Sequence, residues 1–99
     1  MEVDFNPVID ARLSIQRALL GEVLPELRAV VFSIEAKTVD VRFYFDGIVS
    51  EGAEESASCV ETEILADYDP EDTVTIHCIR SDYPTQVDDN GVWVYRRKE

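Results

Sequence analysis

The chain has 99 residues, 45% of them hydrophobic, with 21 acidic and 9 basic side chains and a formal net charge of −12. This length is enough for one domain with a single core, which we assign to residues 1–99. The excess of negative charge argues against direct binding to DNA, RNA or an anionic membrane, because those partners attract Lys and Arg.

The first predicted element is a helix that begins at Asn6 and Pro7. Asn can cap a helix, and Pro at the first helical position loses no hydrogen-bond donor that the helix needs. The helix runs through VIDARLSIQRALL and ends before Gly21, a common residue at helix ends. Its apolar stripe consists of Val8, Ala11, Ile15, Ala18 and Leu19, with Ile9, Leu13 and Leu20 on one flank. Because this stripe is wide, we expect the helix to be well buried.

Two runs of alternating apolar and polar residues follow, over 29–36 and 39–46. A period of two predicts strands that have one solvent-exposed face. Lys37 and Thr38 between the runs fit a two-residue hairpin connection, so we expect the two strands to pair antiparallel. Asp46-Gly47 ends the hairpin.

A second helix is predicted over residues 50–67, with Ser50 as its cap. Its narrow core stripe consists of Ala53, Ala57, Val60 and Ile64. Residues 50–72 hold nine acidic side chains and no Lys or Arg. Glu51 and Glu55 therefore repel each other at helical spacing, and no cation in this segment offsets the repulsion.

After a turn at Asp69-Pro70, TVTIHCIRS predicts a third strand, and VWVYRRKE after Asn90-Gly91 predicts a fourth. The element order α-β-β-α-β-β predicts an α+β, two-layer sandwich. In it, a four-stranded, mainly antiparallel sheet carries both helices on one face and leaves the other face open. The open face is expected to carry Val31, Arg42, Tyr44, Thr75, His77 and Ile79. Alternation alone leaves undecided whether Val92 and Val94 or Trp93 and Tyr95 join them.

The sequence gives little support for catalysis, a cofactor or a metal. His77 is the only histidine, and Cys59 and Cys78 lack the spacing of zinc ligands. We expect both cysteines to be buried thiols. The acidic run from Asp67 fails the EF-hand pattern, because its sixth position is Asp72 where Gly is required. We therefore expect no enzyme activity, no cofactor and no metal site.

The N-terminus MEVDFNPV lacks the basic and apolar regions of a signal peptide, and no apolar run approaches the roughly 20 residues of a membrane helix. We accordingly expect a cytoplasmic protein.

The acidic segment has two interpretations. One is a solvated face with an acidic bias, as in the proteins of a halophile. The other is a surface that meets a cationic protein partner, whose association a field of one sign accelerates. On the second interpretation, the contact residues are Glu51, Glu54, Glu55, Glu61, Asp67, Asp69, Glu71 and Asp72, with Tyr44, Tyr68 and Trp93 as aromatic anchors.

The segments LRAVVFSIEAKTVDVRFYFDGIVSEGAEESASCVETEILADYD (27–69) and IRSDYP (79–84) resemble a group of small acidic bacterial proteins. The similar features are the VRFYFDG strand end, the acidic helix start and the VETEILADY helix end. This pattern is similar to that of immunity proteins of contact-dependent growth inhibition and related polymorphic toxin systems. The resemblance implies a stoichiometric inhibitor of a cognate toxin domain, commonly a nuclease, and it carries over no catalytic residue.

A different class of function remains open at this point. The uncovered sheet face or an edge strand could bury itself against a second copy, which would make the chain a self-associating structural or regulatory domain. With a toxin as the partner, we expect a monomer or a weak dimer.

Overall fold

The computed structural model describes residues 6–99, which form two helices and four strands. The elements are α1 (Pro7–Ala18), β1 (Leu27–Glu35), β2 (Thr38–Phe45), α2 (Glu51–Leu65), β3 (Thr73–Arg80) and β4 (Val92–Arg96). The predicted α+β class and element order are confirmed. Residues 1–5, the first part of the segment in which we found no signal-peptide features, lie outside the described residues.

The sheet has the strand order β3-β2-β1-β4 and is mixed. β1 pairs antiparallel with both β2 and β4, whereas β2 and β3 pair parallel. The parallel pair follows from α2, because adjacent parallel strands need a crossover connection, which is usually a helix. β3 and β4 lie at opposite edges and do not pair with each other.

Both helices pack on one face of the sheet and share one core with it. Ile15 of α1 and Ile64 of α2 are fully buried there with Phe32 and Phe43 of the central strands. The prediction that α1 is well buried is wrong for its flank, since Ile9, Leu13 and Leu20 are each more than half exposed. It is also wrong for Val8 of the predicted stripe, which is 40% exposed. Each helix contacts the sheet with only one of its sides. The remaining part of the wide apolar stripe of α1 therefore faces outward.

The β1–β2 hairpin turns one residue earlier than predicted. Glu35 pairs with Thr38, so the turn residues are Ala36 and Lys37. Ala36 adopts a positive φ of 54°. The sequence gives no sign of this, because Gly, Asn and Asp are the residues that usually occupy such a conformation.

The second face of the sheet is partly covered, which corrects the expectation of an open face. β3 and β4 run in the same direction at opposite edges, so the connection 81–91 has to return across the sheet, and the helices occupy its other face. Val31 and Ala29 are fully buried although they are not part of the core between the sheet and the helices.

The structure also decides the orientation of β4. Val92, Val94 and Tyr95 pack against the core on the helix side. An irregularity in the β1–β4 pairing places Tyr95 opposite Val30 and Trp93 opposite Val31. Trp93 is therefore on the second face, and the bulge separates it from Tyr95.

Candidate functional site

The carboxylates of α2 lie on its outer surface. Ser50 caps the helix, its Oγ accepting a hydrogen bond of 3.1 Å from the Ala53 amide. The four predicted core positions of α2 are all buried, which turns the remaining positions toward solvent. Glu51, Glu54, Glu55 and Glu63 are exposed, and Glu61 is partly buried. The negative residues near the N-terminus also interact favourably with the helix dipole, by roughly 0.3–1 kcal/mol each.

Two of the nine acidic residues in the segment 50–72 form ion pairs with basic side chains elsewhere in the chain. Asp67 accepts hydrogen bonds from Arg17 at 3.1 Å and from the Ser14 hydroxyl at 2.6 Å. Glu71 lies 3.4 Å from the Lys37 ammonium group. Within residues 6–99, no basic side chain reaches the other seven at ion-pair distance, and these are Glu51, Glu54, Glu55, Glu61, Glu63, Asp69 and Asp72. We call these seven residues the unpaired acidic surface.

A groove of about 650 Å³ lies between α1, the β1–β2 turn and the connection from α2 to β3, and two residues of this surface, Asp69 and Asp72, line it. We call it the α1–α2 groove, after α1 and the turn that follows α2. Its lining includes the apolar residues Leu13, Ile34 and Val39 and the partly buried Tyr68. The carboxylates of its lining are Asp10, Asp67, Asp69 and Asp72. Burial, and next the negative charges around it, raise the pKa of the Tyr68 hydroxyl.

The two other predicted aromatic anchors, Tyr44 and Trp93, lie on the second face of the sheet, away from α2. The Tyr44 hydroxyl donates a hydrogen bond of 2.6 Å to Asp89, and the Trp93 indole N–H donates one of 3.1 Å to the Asp89 carbonyl oxygen. The Arg96 guanidinium carbon lies 4.6 Å from the centroid of the Trp93 ring. The predicted contact residues are therefore divided between two faces of the molecule.

Asp89 organises the second face. Its carboxylate accepts hydrogen bonds from Arg42 Nε at 3.0 Å, Arg42 Nη2 at 2.7 Å, the Tyr44 hydroxyl and the Gly91 amide. We call Asp89, Arg42, Tyr44 and Gly91 the Asp89 latch, because they tie the connection 81–91 to β2. The hydrogen bonds from Arg42 hold the pKa of the Asp89 carboxyl well below its usual value, although partial burial acts in the opposite direction.

A second set of contacts fixes the start of the same connection and the end of the chain. The buried Arg28 guanidinium donates to the Ser81 carbonyl oxygen at 2.8 Å and to both carboxylate oxygens of Glu99, at 2.6 and 2.8 Å. The Arg28 hydrogen bonds lower the pKa of Glu99 to about 2. The Asp89 latch joins the connection 81–91 to β2, and Arg28 joins the start of that connection and the end of the chain to β1. The composition alone indicates neither set of contacts.

The residues considered for catalysis do not form a reactive arrangement. His77 is an exposed strand residue whose Nε2 lies 3.1 Å from Asp40 Oδ2. Cys59 is exposed on α2, so the prediction that it is buried is wrong. Cys78 is partly buried, and burial raises the pKa of its thiol, which lowers its reactivity.

Residues 6–99 contain neither a metal-binding cluster nor a membrane-spanning helix. No three His, Cys, Asp or Glu side chains in this part of the chain come together in a way that could hold a metal ion. Neither described helix has the length and apolar character needed to cross a membrane.

Sequence reasoning missed two features of the surface. The first is the apolar stripe of Ile9, Leu13 and Leu20 that α1 leaves exposed. The sequence did indicate it, because the predicted apolar stripe of α1 is too wide to be covered by a single contact between a helix and a sheet. The second is the Asp89 latch, whose members are far apart in sequence and carry no local motif.

Comparison with known proteins agrees with the resemblance drawn from the strand and helix ends. A family model described as MafI2 immunity protein matches residues 8–99. A search of curated proteins finds no match. The resemblance to small immunity proteins of polymorphic toxin systems is thereby confirmed. Because the matching region spans nearly the whole chain, this protein belongs to the MafI2 immunity protein family, and its function is immunity.

Proposed function

We propose that the protein binds a cationic, nuclease-like toxin domain of its own system and blocks it by forming a stoichiometric complex in the bacterial cytoplasm. It does so without catalysis, a cofactor or a metal. The observation that carries the proposal is the unpaired acidic surface, five carboxylates on α2 and two in the turn after it, without a basic partner in the described chain.

The charge of this surface suits a nuclease as the partner. A nuclease active site holds phosphate groups, so its cleft is lined by Lys and Arg. Carboxylates on α2 would pair with those cations and occupy the places of the substrate phosphates. The same negative field would also speed encounter, since charge complementarity acts mainly on the association rate.

The rigidity of the surface supports the proposal as well. α2 is anchored by four buried side chains and capped by Ser50, so its outward positions are fixed relative to the sheet. Charges on a fixed backbone require less ordering of the chain on binding than charges on a mobile segment.

The test uses a catalytically inactive form of the cognate toxin domain, which is first sought as a toxin-sized C-terminal domain in the reading frame directly upstream of the gene for this chain. Glu54, Glu55 and Glu61 are changed together to Lys, and association is followed by stopped-flow or surface plasmon resonance at several salt concentrations. We expect the association rate at low salt to fall about ten-fold or more, with a flatter salt dependence.

The matched control reverses three acidic residues outside the segment 50–72: Glu22, Glu26 and Asp88. It changes the net charge equally, so a purely global effect would slow both variants alike. An association rate that is equal in the two variants would remove the acidic surface from the mechanism. Failure of the wild-type chain to bind the toxin domain would refute the proposed function itself.

Self-association is the second candidate, and the exposed stripe of Ile9, Leu13 and Leu20 is the observation that favours it. Light scattering of the purified chain at micromolar concentration separates the two. A stable dimer favours self-association, whereas a monomer favours a separate protein partner.

A further inference from the structure

The exposed apolar stripe and the α1–α2 groove form one continuous surface. Ile9 and Leu13 are 54 and 51% exposed and, four residues apart, lie on one side of α1. Leu20, which is 79% exposed, lies in the turn just after the helix ends. Leu13 also lines the groove, so the stripe leads directly into it. Isolated apolar residues on a surface are ordinary, but a stripe that borders a groove is typical of an interaction site.

The groove combines an apolar lining with free negative charge. Its two cations, Arg17 and Lys37, are already engaged by Asp67 and Glu71. Within the described residues, the remaining carboxylates of the lining, Asp10, Asp69 and Asp72, have no basic partner. An occupant of the groove therefore meets apolar walls and uncompensated negative charge together.

These charges decide between the possible occupants. A second copy of the chain would bring another net charge of −12 against the groove, and its own acidic residues would repel those at the rim. An Arg or Lys side chain suits the groove better, because its aliphatic stem packs on apolar residues while its charged end reaches carboxylates. A guanidinium can in addition stack on the ring of a tyrosine such as Tyr68.

We propose that the α1–α2 groove is the desolvated centre of the toxin interface, where it receives an Arg or Lys side chain of the toxin while the toxin residues beside it lie on Ile9, Leu13 and Leu20. This inference rests on the proposed function and adds the anchor that the acidic surface lacks. Charges at the rim of an interface mainly set the association rate, whereas a buried side chain in a pocket mainly sets the dissociation rate. The Glu residues of α2 and the groove therefore have separable roles.

The test compares matched variants in complex formation with the inactive toxin domain. Leu13→Gln removes the apolar contact at the mouth of the groove, and Ile48→Gln makes the same kind of change at an exposed position away from it. We expect Leu13→Gln to raise the dissociation rate about ten-fold and Ile48→Gln less than about two-fold. Thermal unfolding of both variants verifies that the substitutions leave the fold intact.

A second pair of variants probes the charge. Asp10→Asn with Asp72→Asn removes two groove carboxylates that have no basic partner in the described chain, and Glu22→Gln with Asp88→Asn removes two elsewhere. We expect the groove pair to weaken the complex about ten-fold more than the control pair. If the wild-type chain binds the toxin domain and both groove variants bind like their controls, the groove is not the centre of the interface, although the proposed function stands.

An independent measurement needs no toxin. N-acetyl-arginine amide is titrated into the full chain, and amide chemical shifts are followed by NMR, with N-acetyl-citrulline amide as the neutral control. Shifts at Leu13, Tyr68 and Asp72 with the arginine compound alone would support the assignment. Equal shifts with both compounds, or none with either, would contradict it even if the toxin domain binds elsewhere on the chain.

Discussion

Replacing Asp89 with Asn tests whether the Asp89 latch holds the second face of the sheet together. Asn has nearly the size of Asp and can still accept the 2.8 Å hydrogen bond from the Gly91 amide. Its oxygen then takes the place of Oδ1 and can also accept from Arg42 Nη2, but it carries no negative charge. Its N–H groups take the place of Oδ2, where Arg42 Nε and the Tyr44 hydroxyl also donate. The substitution therefore removes the negative charge and two of the four hydrogen bonds, and keeps the shape.

The magnitude follows from the burial of the pair. The side chains of Arg42 and Asp89 are 16% and 7% exposed. Removing one partner of a fully buried ion pair costs about 3–5 kcal/mol, because the other charge stays buried without a partner. Arg42 keeps Asp40 at 3.0 Å and some contact with water, which reduces the cost. We expect Asp89→Asn to lower the free energy of unfolding by about 2–3 kcal/mol.

Thermal unfolding by circular dichroism measures this effect. For a domain of this size, 1 kcal/mol corresponds to about 4–8 °C in Tm, so we expect a decrease of about 10–20 °C. The control is Asp88→Asn, which removes the neighbouring exposed carboxylate. If the Tm of Asp89→Asn lay within about 3 °C of the control, the latch would contribute little and our argument from burial would be wrong.

The latch also predicts a dependence on pH. The pKa of Asp89 is lower in the folded chain than its unfolded value of about 3.9. A carboxyl group with a depressed folded pKa contributes stability that is fully present above the unfolded pKa and is lost as the pH falls through the folded one. On acidification from about pH 5 to pH 2, the wild-type Tm should therefore fall more steeply than that of Asp89→Asn. Parallel curves would contradict the assignment.

Three further predictions concern the frame around the site. Ile64→Ala should lower the free energy of unfolding by about 2–5 kcal/mol, measured by urea denaturation, because Ile64 is fully buried. The control Leu65→Ala, at a neighbouring position that is 44% exposed, should lower it by less than about 1 kcal/mol. Ser50→Ala removes the cap of α2 and should cost about 1 kcal/mol in the same assay; an unchanged midpoint would show that the cap is dispensable. Gly91→Ala should lower the Tm by several degrees, because the added Cβ would lie 2.6 Å from the Phe32 carbonyl oxygen, a backbone atom that cannot easily move. A Tm equal to that of the wild type would mean that the connection 81–91 shifts freely.

The sequence was sufficient for the local features of the fold. Asn6 and Ser50 were identified as helix caps, and both side chains accept hydrogen bonds from the first turn of the helix that follows. The alternation of β2 identified its buried face correctly, and the spacing of four and three residues in α2 identified its core stripe. These features depend on neighbours in sequence, where backbone geometry fixes which side chains share a face.

The sequence also shows how many carboxylates the acidic segment contains. It does not show which of them form ion pairs with basic side chains. Asp67 is 50 residues from Arg17, and Glu71 is 34 residues from Lys37, so no local pattern shows which charges are neutralised. The fold brings these residues together and leaves the seven others free.

What the sequence by itself determined is the α+β class, the element order, the helix caps and the negative charge of α2. Only the tertiary structure decided that β3 and β4 lie at opposite edges, that the connection 81–91 crosses the second face, and that Tyr44 and Trp93 lie there instead of beside α2. It also decided which side of α1 stays exposed. The physical reason is that strand order and helix packing arise from contacts between residues distant in sequence, which periodicity along the chain does not encode.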